Sequence, residues 1–253
     1  MTSLPVFLIG GAGPPAPREF ATLIDALGDA RPIVPWDMVV FHGGPPAADY
    51  SLAIEVRALL AGLDEVGAPR AHLVGFSGGA AVALAIASDH PQRVASLALE
   101  EPAWIGTQGA TPLELRFWDD LTAAMALEPY QALLGFRDLM VQPQVRPSLP
   151  PVPLEAPWID SLVNGVRASI GAFAGAEVDW QALQQALFPI YAAVGSLTNP
   201  VFELRSRRIA ERVPRTTVEV FGGLHHIAPP HRGAAESWAV TLEAMWSAVE
   251  VGR

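Results

Sequence analysis

Six short apolar runs, each closed by glycine, proline or charge, mark out the chain as strands: "PVFLIG" (5–10), a segment within "PIVPWDMVVF" (32–41), "AHLVGF" (71–76), "VASLALEE" (94–101), "FPIYAAVG" (188–195) and "TTVEVFGG" (216–223). Pro35 leaves the limits of the second run open. Between the early runs lie helical patterns, "PREFATLIDALG" (17–28), "SLAIEVRALLAGLDEVG" (51–67) and "GGAAVALAIASDHP" (78–91). Strands alternating with helices predict an α/β fold, a mostly parallel sheet flanked by helices on both faces.

From Pro102 to about Gln185 the strand signals stop. Helical pieces take their place at 112–128, 128–140 and 156–173, interrupted by the proline-rich connector "QPQVRPSLPPVPLEAP" (142–157), through which no helix can continue. The expected organisation is a core domain of residues 1–102 and 186–253 with a helical cap insertion at 103–185.

Composition narrows the chemistry. All 16 cations are arginine and the net charge is −10, so the clustered cations needed to neutralise phosphates are missing and no nucleic acid is expected as partner. Without lysine there is no Schiff-base chemistry on that side chain. Without cysteine there is no thiolate nucleophile, thiolate metal site or disulfide. The N-terminal run "VFLI" is too short for a signal-peptide core and lacks a basic flank, and no apolar stretch reaches the roughly 18 residues that span a bilayer. The expectation is a cytoplasmic address with no membrane partner. A small-molecule substrate is the expected partner, with a homodimer left open, and no cofactor is implied.

Gly75-Phe76-Ser77-Gly78-Gly79 fits G-x-S-x-G and lies where a strand passes into a helix, which is the setting that pattern requires. The chemistry needs a strand that ends abruptly, so that the serine oxygen stands above the sheet and the N–H of Gly78 points toward the substrate oxygen. Gly11, in the glycine-rich loop after the first strand, would supply a second N–H. The plainer alternative at both places is a tight turn. "FHGGPP" (41–46) looks like an oxyanion loop but follows the second strand, so a loop or strand end is the better reading. His72 and His90, beside the Ser77 strand and helix, read as a strand end and a surface cap. A general base is expected after the last strand, where "FGGLHHIAPPHR" (221–232) carries His225, His226 and His231. A metal site there is disfavoured, since no carboxylate is nearby in this proline-broken loop.

With its elbow, upstream glycine loop, helical insertion and late histidine in this order, the chain resembles the α/β-hydrolases over nearly its whole length. "SLALEEPAWIG" and "HHIAPPHR" resemble an actinobacterial-type subgroup of that superfamily. The resemblance implies an α/β-hydrolase fold lacking the N-terminal strand pair. It places the catalytic histidine at His226, as in G-x-x-H-[apolar], with His225 as runner-up. The family's usual G-x-x-D is replaced by "VGSLTNP", with Thr198 and Asn199 in place of the acid. The other acid position known in the superfamily, at the end of the strand after the nucleophile helix, holds Glu100 and Glu101, as in one branch of haloalkane dehalogenases. Glu101, at the C-terminal end of that strand, is the expected acid, Asn199 the runner-up as a neutral orienter, and Thr198→Ala is expected to be nearly silent. Glu101 could instead cap a helix or pair with an arginine.

The expected activity is serine hydrolysis of an uncharged or apolar ester, thioester or lactone through an acyl-enzyme, with Ser77, His226 and Glu101 as triad. Phe76, Trp104 and Trp158 are expected against the substrate, unless the aromatics of the insertion are only its own core. The alternatives are hydrolysis of a carbon–carbon bond in a β-diketone, or a catalytically silent scaffold.

Overall fold

A computed structural model describes residues 3–41, 45–154 and 156–251. Six parallel strands, β1 (Val6–Ile9), β2 (Ile33–Trp36), β3 (Ala71–Phe76), β4 (Val94–Glu100), β5 (Ile190–Gly195) and β6 (Thr216–Phe221), form one sheet in the order β2-β1-β3-β4-β5-β6. Every residue of β1, β3, β4 and β5 is buried, which is why these strands read as continuous apolar runs rather than alternating ones. Pro35 sits in edge strand β2, where its missing N–H leaves no ladder partner stranded. That strand is shorter than its apolar run. After Trp36 the Glu55 carboxylate accepts from the N–H groups of Val39 and Val40 at 2.8 and 3.0 Å, drawing the backbone into a 3₁₀ turn at Val39–Phe41.

Helices cover both faces. The first helical pattern is broken at Phe20 into α1 (Ala16–Glu19) and α2 (Ala21–Leu27). Alternate side chains of β1 point opposite ways, Phe7 and Ile9 toward α3 (Leu52–Glu65) and α4 (Gly78–Asp89), Val6 and Leu8 toward α2 and α11 (Ala235–Val251). The sandwiched helix α4 is buried almost all round, as its Ala-, Val- and Ile-rich sequence requires.

Between β4 and β5 lie α5 (Pro112–Met125), α6 (Pro129–Met140), α7 (Ile159–Ala174) and α8 (Trp180–Gln185). Helix α5 starts at a reciprocal capping box of Thr111 and Glu114. Phe117 and Leu121 of α5, Leu133 and Met140 of α6, and Val163 and Val166 of α7 build a core that also takes in Val201 and Phe202 of α9 (Pro200–Arg212). Helix α8 behaves differently. It packs on α4, where Leu183 is fully buried and the Asp179 N–H donates to Ser88 Oγ at 2.7 Å. The short α10 (Pro230–Gly233) leads into α11.

The chain runs from β1 outward to β2 and then crosses to β3 on the other side of β1. At such a reversal the loops leaving adjacent strands diverge and open a crevice at their C-terminal ends. Here the loops concerned begin at Gly10 and Ser77.

Candidate active site

The crevice is built on a strained turn. Ser77, between β3 and α4, has φ 53° and ψ −114°, a conformation that costs an L-residue on the order of 1–3 kcal/mol. It is held there by its own backbone: its N–H donates to Glu100 O at 2.9 Å, and its carbonyl accepts from Ala80, Ala81 and Ala103. The flanking glycines allow the close approach. A Cβ on Gly79 would lie 2.1 Å from Ile9 O, and one on Gly75 2.5 Å from Gly79 O, so both positions exclude any side chain.

The Ser77 hydroxyl lies 3.1 Å from Nε2 of His226, whose Nδ1 lies 2.5 Å from Glu101 Oε2. An ionised carboxylate only accepts, so Nδ1 carries the proton and Nε2 is left to accept from the serine. Two rings lie against the imidazole, Phe76 at 4.8 Å and Phe202 at 4.6 Å. All three polar side chains are buried.

Glu101 is not part of the strand, contrary to expectation. β4 ends at Glu100, and Glu101 follows with φ 47°, its N–H still donating to Ala193 O. The left-handed turn throws its side chain across the end of β5, where Oε1 accepts from Gly195 N at 2.8 Å and Oε2 from the Thr198 hydroxyl at 3.1 Å. The carboxylate therefore reaches the end of β5 from the neighbouring strand. Thr198 is a bystander in the sequence but not in the fold. Buried and bonded to Glu101, it also lies 3.0 Å from Met140 O, so its substitution cannot be expected to be silent. Asn199 caps α9, its Oδ1 accepting from Val201 N while Nδ2 donates to Leu139 O, and neither atom faces His226.

Of the remaining histidines, His225 bonds in its own turn to Ala228 and not to Ser77, and burial lowers its pKa, partly opposed by Glu101. His72 is buried and meets Ser96, and His90 ends α4. His231, one of the three histidines the sequence offered as a base, does not reach Ser77 and holds a cluster that the sequence did not reveal. Its ring is fully buried, with Nδ1 2.5 Å from Glu100 Oε2 and Nε2 2.9 Å from Glu19 Oε1, while Glu19 Oε2 also pairs with Arg232 at 2.7 Å. Burial alone would lower the His231 pKa, but the two carboxylates outweigh it and raise it to about 9. The only sequence signal was the adjacency of Glu100 and Glu101, which point to opposite sides and serve different histidines.

The N–H groups of Gly78 and Gly11 find no acceptor among the described residues. Gly11 packs so close to Ser77 that a Cβ on it would lie 2.8 Å from Ser77 Cβ, and Ala12 follows at the cavity wall. Two spaces meet here. A cavity of about 50 Å³ lies over Ser77 and Gly78, walled by Phe117, Trp118, Phe136 and Phe173. A wider cleft of about 1000 Å³ lies on the His226 side, where Phe76, Trp158, Arg18, Arg137 and Arg232 line it. Trp158 thus stands at the site, half exposed. Trp104 does not: it is buried in the core on the α4 side, stacked on Phe173, and lines neither space. His42, Gly43 and Gly44 of the HGG sequence lie outside the described residues. Among the described residues no three His, Asp or Glu side chains are arranged to hold a metal ion, and no helix is long and apolar enough to cross a membrane.

The fold is that of the α/β-hydrolases. The sequence profile of the alpha/beta hydrolase fold matches residues 41–140. Solved structures with the same architecture include the enol-lactonase from Burkholderia xenovorans LB400 (TM-score 0.72, 17% identity, covering 98% of this chain and 92% of that one). Another is the meta-cleavage product hydrolase from Pseudomonas fluorescens IP01 (TM-score 0.67, 19% identity, covering 97% and 91%). At the sequence level, the chain is 40% identical over 85 residues to the dihydrolipoyllysine-residue acetyltransferase component of the acetoin cleaving system of Cupriavidus necator. That stretch is 33% of this chain and only 22% of the relative.

Proposed function

We propose that the protein is a serine hydrolase that cleaves an uncharged or apolar ester, thioester or lactone through an acyl-enzyme. The observation that carries this reading is the chain of contacts from Ser77 Oγ to His226 Nε2 at 3.1 Å and from His226 Nδ1 to Glu101 at 2.5 Å. Ser77 attacks the carbonyl carbon as His226 takes its proton, and Glu101 stabilises the imidazolium that forms. The N–H groups of Gly78 and Gly11 receive the oxyanion, since neither has an acceptor among the described residues. His226 then protonates the leaving group, which must lie near Nε2 and so in the wide cleft, while the aromatic cavity over Ser77 takes the acyl part. Water enters by the same route and attacks the acyl carbon as His226 takes its proton. The bond from that carbon to Ser77 Oγ then breaks, Oγ takes the proton back from His226, and the acid leaves.

A silent scaffold was suggested by the missing G-x-x-D, and Glu101 supplies a carboxylate to the histidine from elsewhere. Hydrolysis of a carbon–carbon bond would use the same residues, and the likeness in fold to a meta-cleavage product hydrolase keeps it as the second reading. A fluorophosphonate should label Ser77 in the folded protein and not the Ser77→Ala variant. Absence of labelling, beside a known serine esterase that labels, defeats the reading. A panel of p-nitrophenyl esters, lactones and β-diketones then separates the two chemistries by product.

A further inference from the structure

The site just described uses Glu101 and His226 and leaves a second buried glutamate–histidine pair, Glu100 and His231, without a role. The two pairs are neighbours through one ring. Phe76 lies 4.8 Å from His226 at an interplanar angle of 34° and 4.9 Å from His231 at 69°, so the base meets Phe76 at a tilt while His231 meets the same ring edge to face. We propose that His231 is a positioning residue for the proposed hydrolysis: held rigidly by Glu100 and Glu19, it fixes Phe76, and Phe76 fixes the plane of the His226 imidazole.

Three observations support this. The first is how completely His231 is held. Its backbone N–H donates to Glu100 Oε1 at 2.9 Å, and its two ring nitrogens meet Glu100 and Glu19, so neither ring rotation nor displacement is free. Arg232 takes the second oxygen of Glu19, which fixes the last member. The second is location. Phe76 precedes the nucleophile and belongs to β3, so a ring held from behind by His231 transmits its position to the face of His226 without any change in the backbone. The third is the second aromatic neighbour. Phe202 stacks on His226 at 25°, so the base keeps its line to Ser77 while both rings stay in place. A displacement of about 1 Å at a reacting group can cost on the order of 100-fold in rate. Holding a charged cluster in the core for packing alone is a poor bargain, because well-packed apolar residues of similar volume are often as stable or more so.

This inference rests on the hydrolase reading, and its test separates the two. The His231→Gln/Glu100→Gln double variant keeps hydrogen-bonding side chains of similar size and removes both charges, which avoids the stranded carboxylate that His231→Gln alone would leave and that could prevent folding. It is expected to lose on the order of 10- to 100-fold in kcat, with KM changed by less than about 3-fold. Phe76→Leu should lose a similar factor, and the triple variant should lose no more than Phe76→Leu alone, because both changes break one linkage. The ring protons of His226, read by NMR without any substrate, should move toward their free positions in the double variant as the ring current of Phe76 is withdrawn. Unchanged kcat in the folded double variant, multiplicative losses in the triple variant, or unmoved His226 ring protons would each overturn the proposal. If no substrate is turned over and Ser77 does not label, the hydrolase reading has failed, and the NMR result still decides whether His231 positions His226.

Discussion

Glu101 and His226 meet at 2.5 Å although 125 residues separate them, and the carboxylate arrives from β4 by a left-handed turn rather than from the end of β5. In the proposed hydrolysis its task is to hold the imidazole in the tautomer whose Nε2 accepts from Ser77. Glu101→Gln presents an amide that can place a donor against Nδ1 and favour the opposite tautomer. We expect a folded protein whose kcat falls by roughly 10²- to 10⁴-fold. Near-normal turnover of a chromogenic ester by this variant would remove Glu101 from the mechanism.

Thr198 holds the Glu101 carboxylate with its hydroxyl and lies against Met140 O with the same atom. Thr198→Val keeps the shape and removes the bond, and should lower kcat by about 10- to 100-fold, in line with roughly 1.5–3 kcal/mol for a hydrogen bond to a charged group. In the Glu101→Gln background, Thr198→Asp should recover part of the lost rate by returning a carboxylate to the end of β5. Full activity in Thr198→Val would show that Gly195 N–H alone orients the acid.

The two adjacent histidines give a contrast within one loop. His226→Ala should lose on the order of 10³-fold or more, since the serine is a weak nucleophile without its base. His225→Ala should stay within a few-fold of the parent, because among the described residues its ring bonds within its own turn. Paired kcat/KM measurements decide it, and the reverse ranking would reassign the base.

Gly79 is a test of the fold rather than the chemistry. A methyl there would sit 2.1 Å from Ile9 O and 2.5 Å from Gly10 O, both backbone atoms that cannot step aside alone. Gly79→Ala should destabilise by about 3 kcal/mol or more, at the upper end for overpacking, by prying α4 from β1. Unfolding in urea measures it, and a loss under about 1 kcal/mol would mean the two elements are less tightly joined.

His231 predicts a pH dependence of stability. Its pKa is raised from 6.5 to about 9, so below 6.5 both folded and unfolded chains carry the proton and the stabilisation is complete. Between 6.5 and about 9 only the folded chain keeps the proton, and stability falls as pH rises, by on the order of 3 kcal/mol for this coupled buried group. The midpoint temperature should therefore drop from pH 6.5 to 9.5. The slope should flatten in His231→Gln/Glu100→Gln, and an equal slope there would locate its cause elsewhere.

Strands buried on both faces leave continuous apolar runs, so β1, β3, β4 and β5 could be read from the chain almost to the residue. Ser77 and His226 were legible because each follows a strand end in a local pattern. The conformation of Glu101 was not, since a positive φ at a glutamate is imposed by contacts with Ala193 and Gly195 that lie about 90 residues away. Nor could Trp104 be assigned, as an aromatic at the start of an insertion has the same local signature whether it turns to the core or the cleft. His231 stayed hidden because its partners, Glu19 of α1 and Glu100 of β4, are far from it and from each other along the chain.

Where α6 ends, the chain is stitched to the loop after β5: Gln142 N–H donates to Leu197 O, Asn199 N–H to Met140 O, and Gln142 Nε2 to Ser196 O, all within 3.0 Å. The same loop carries Thr198 and therefore seats the acid. The insertion cannot lift away at this corner without loosening the contacts of Glu101, so in the proposed hydrolysis substrate and product are expected to pass by the wide cleft that Trp158, Arg137 and Arg18 line. A covalent cross-link between positions 142 and 197 should accordingly leave turnover intact, whereas one joining positions 158 and 18 should shut the enzyme.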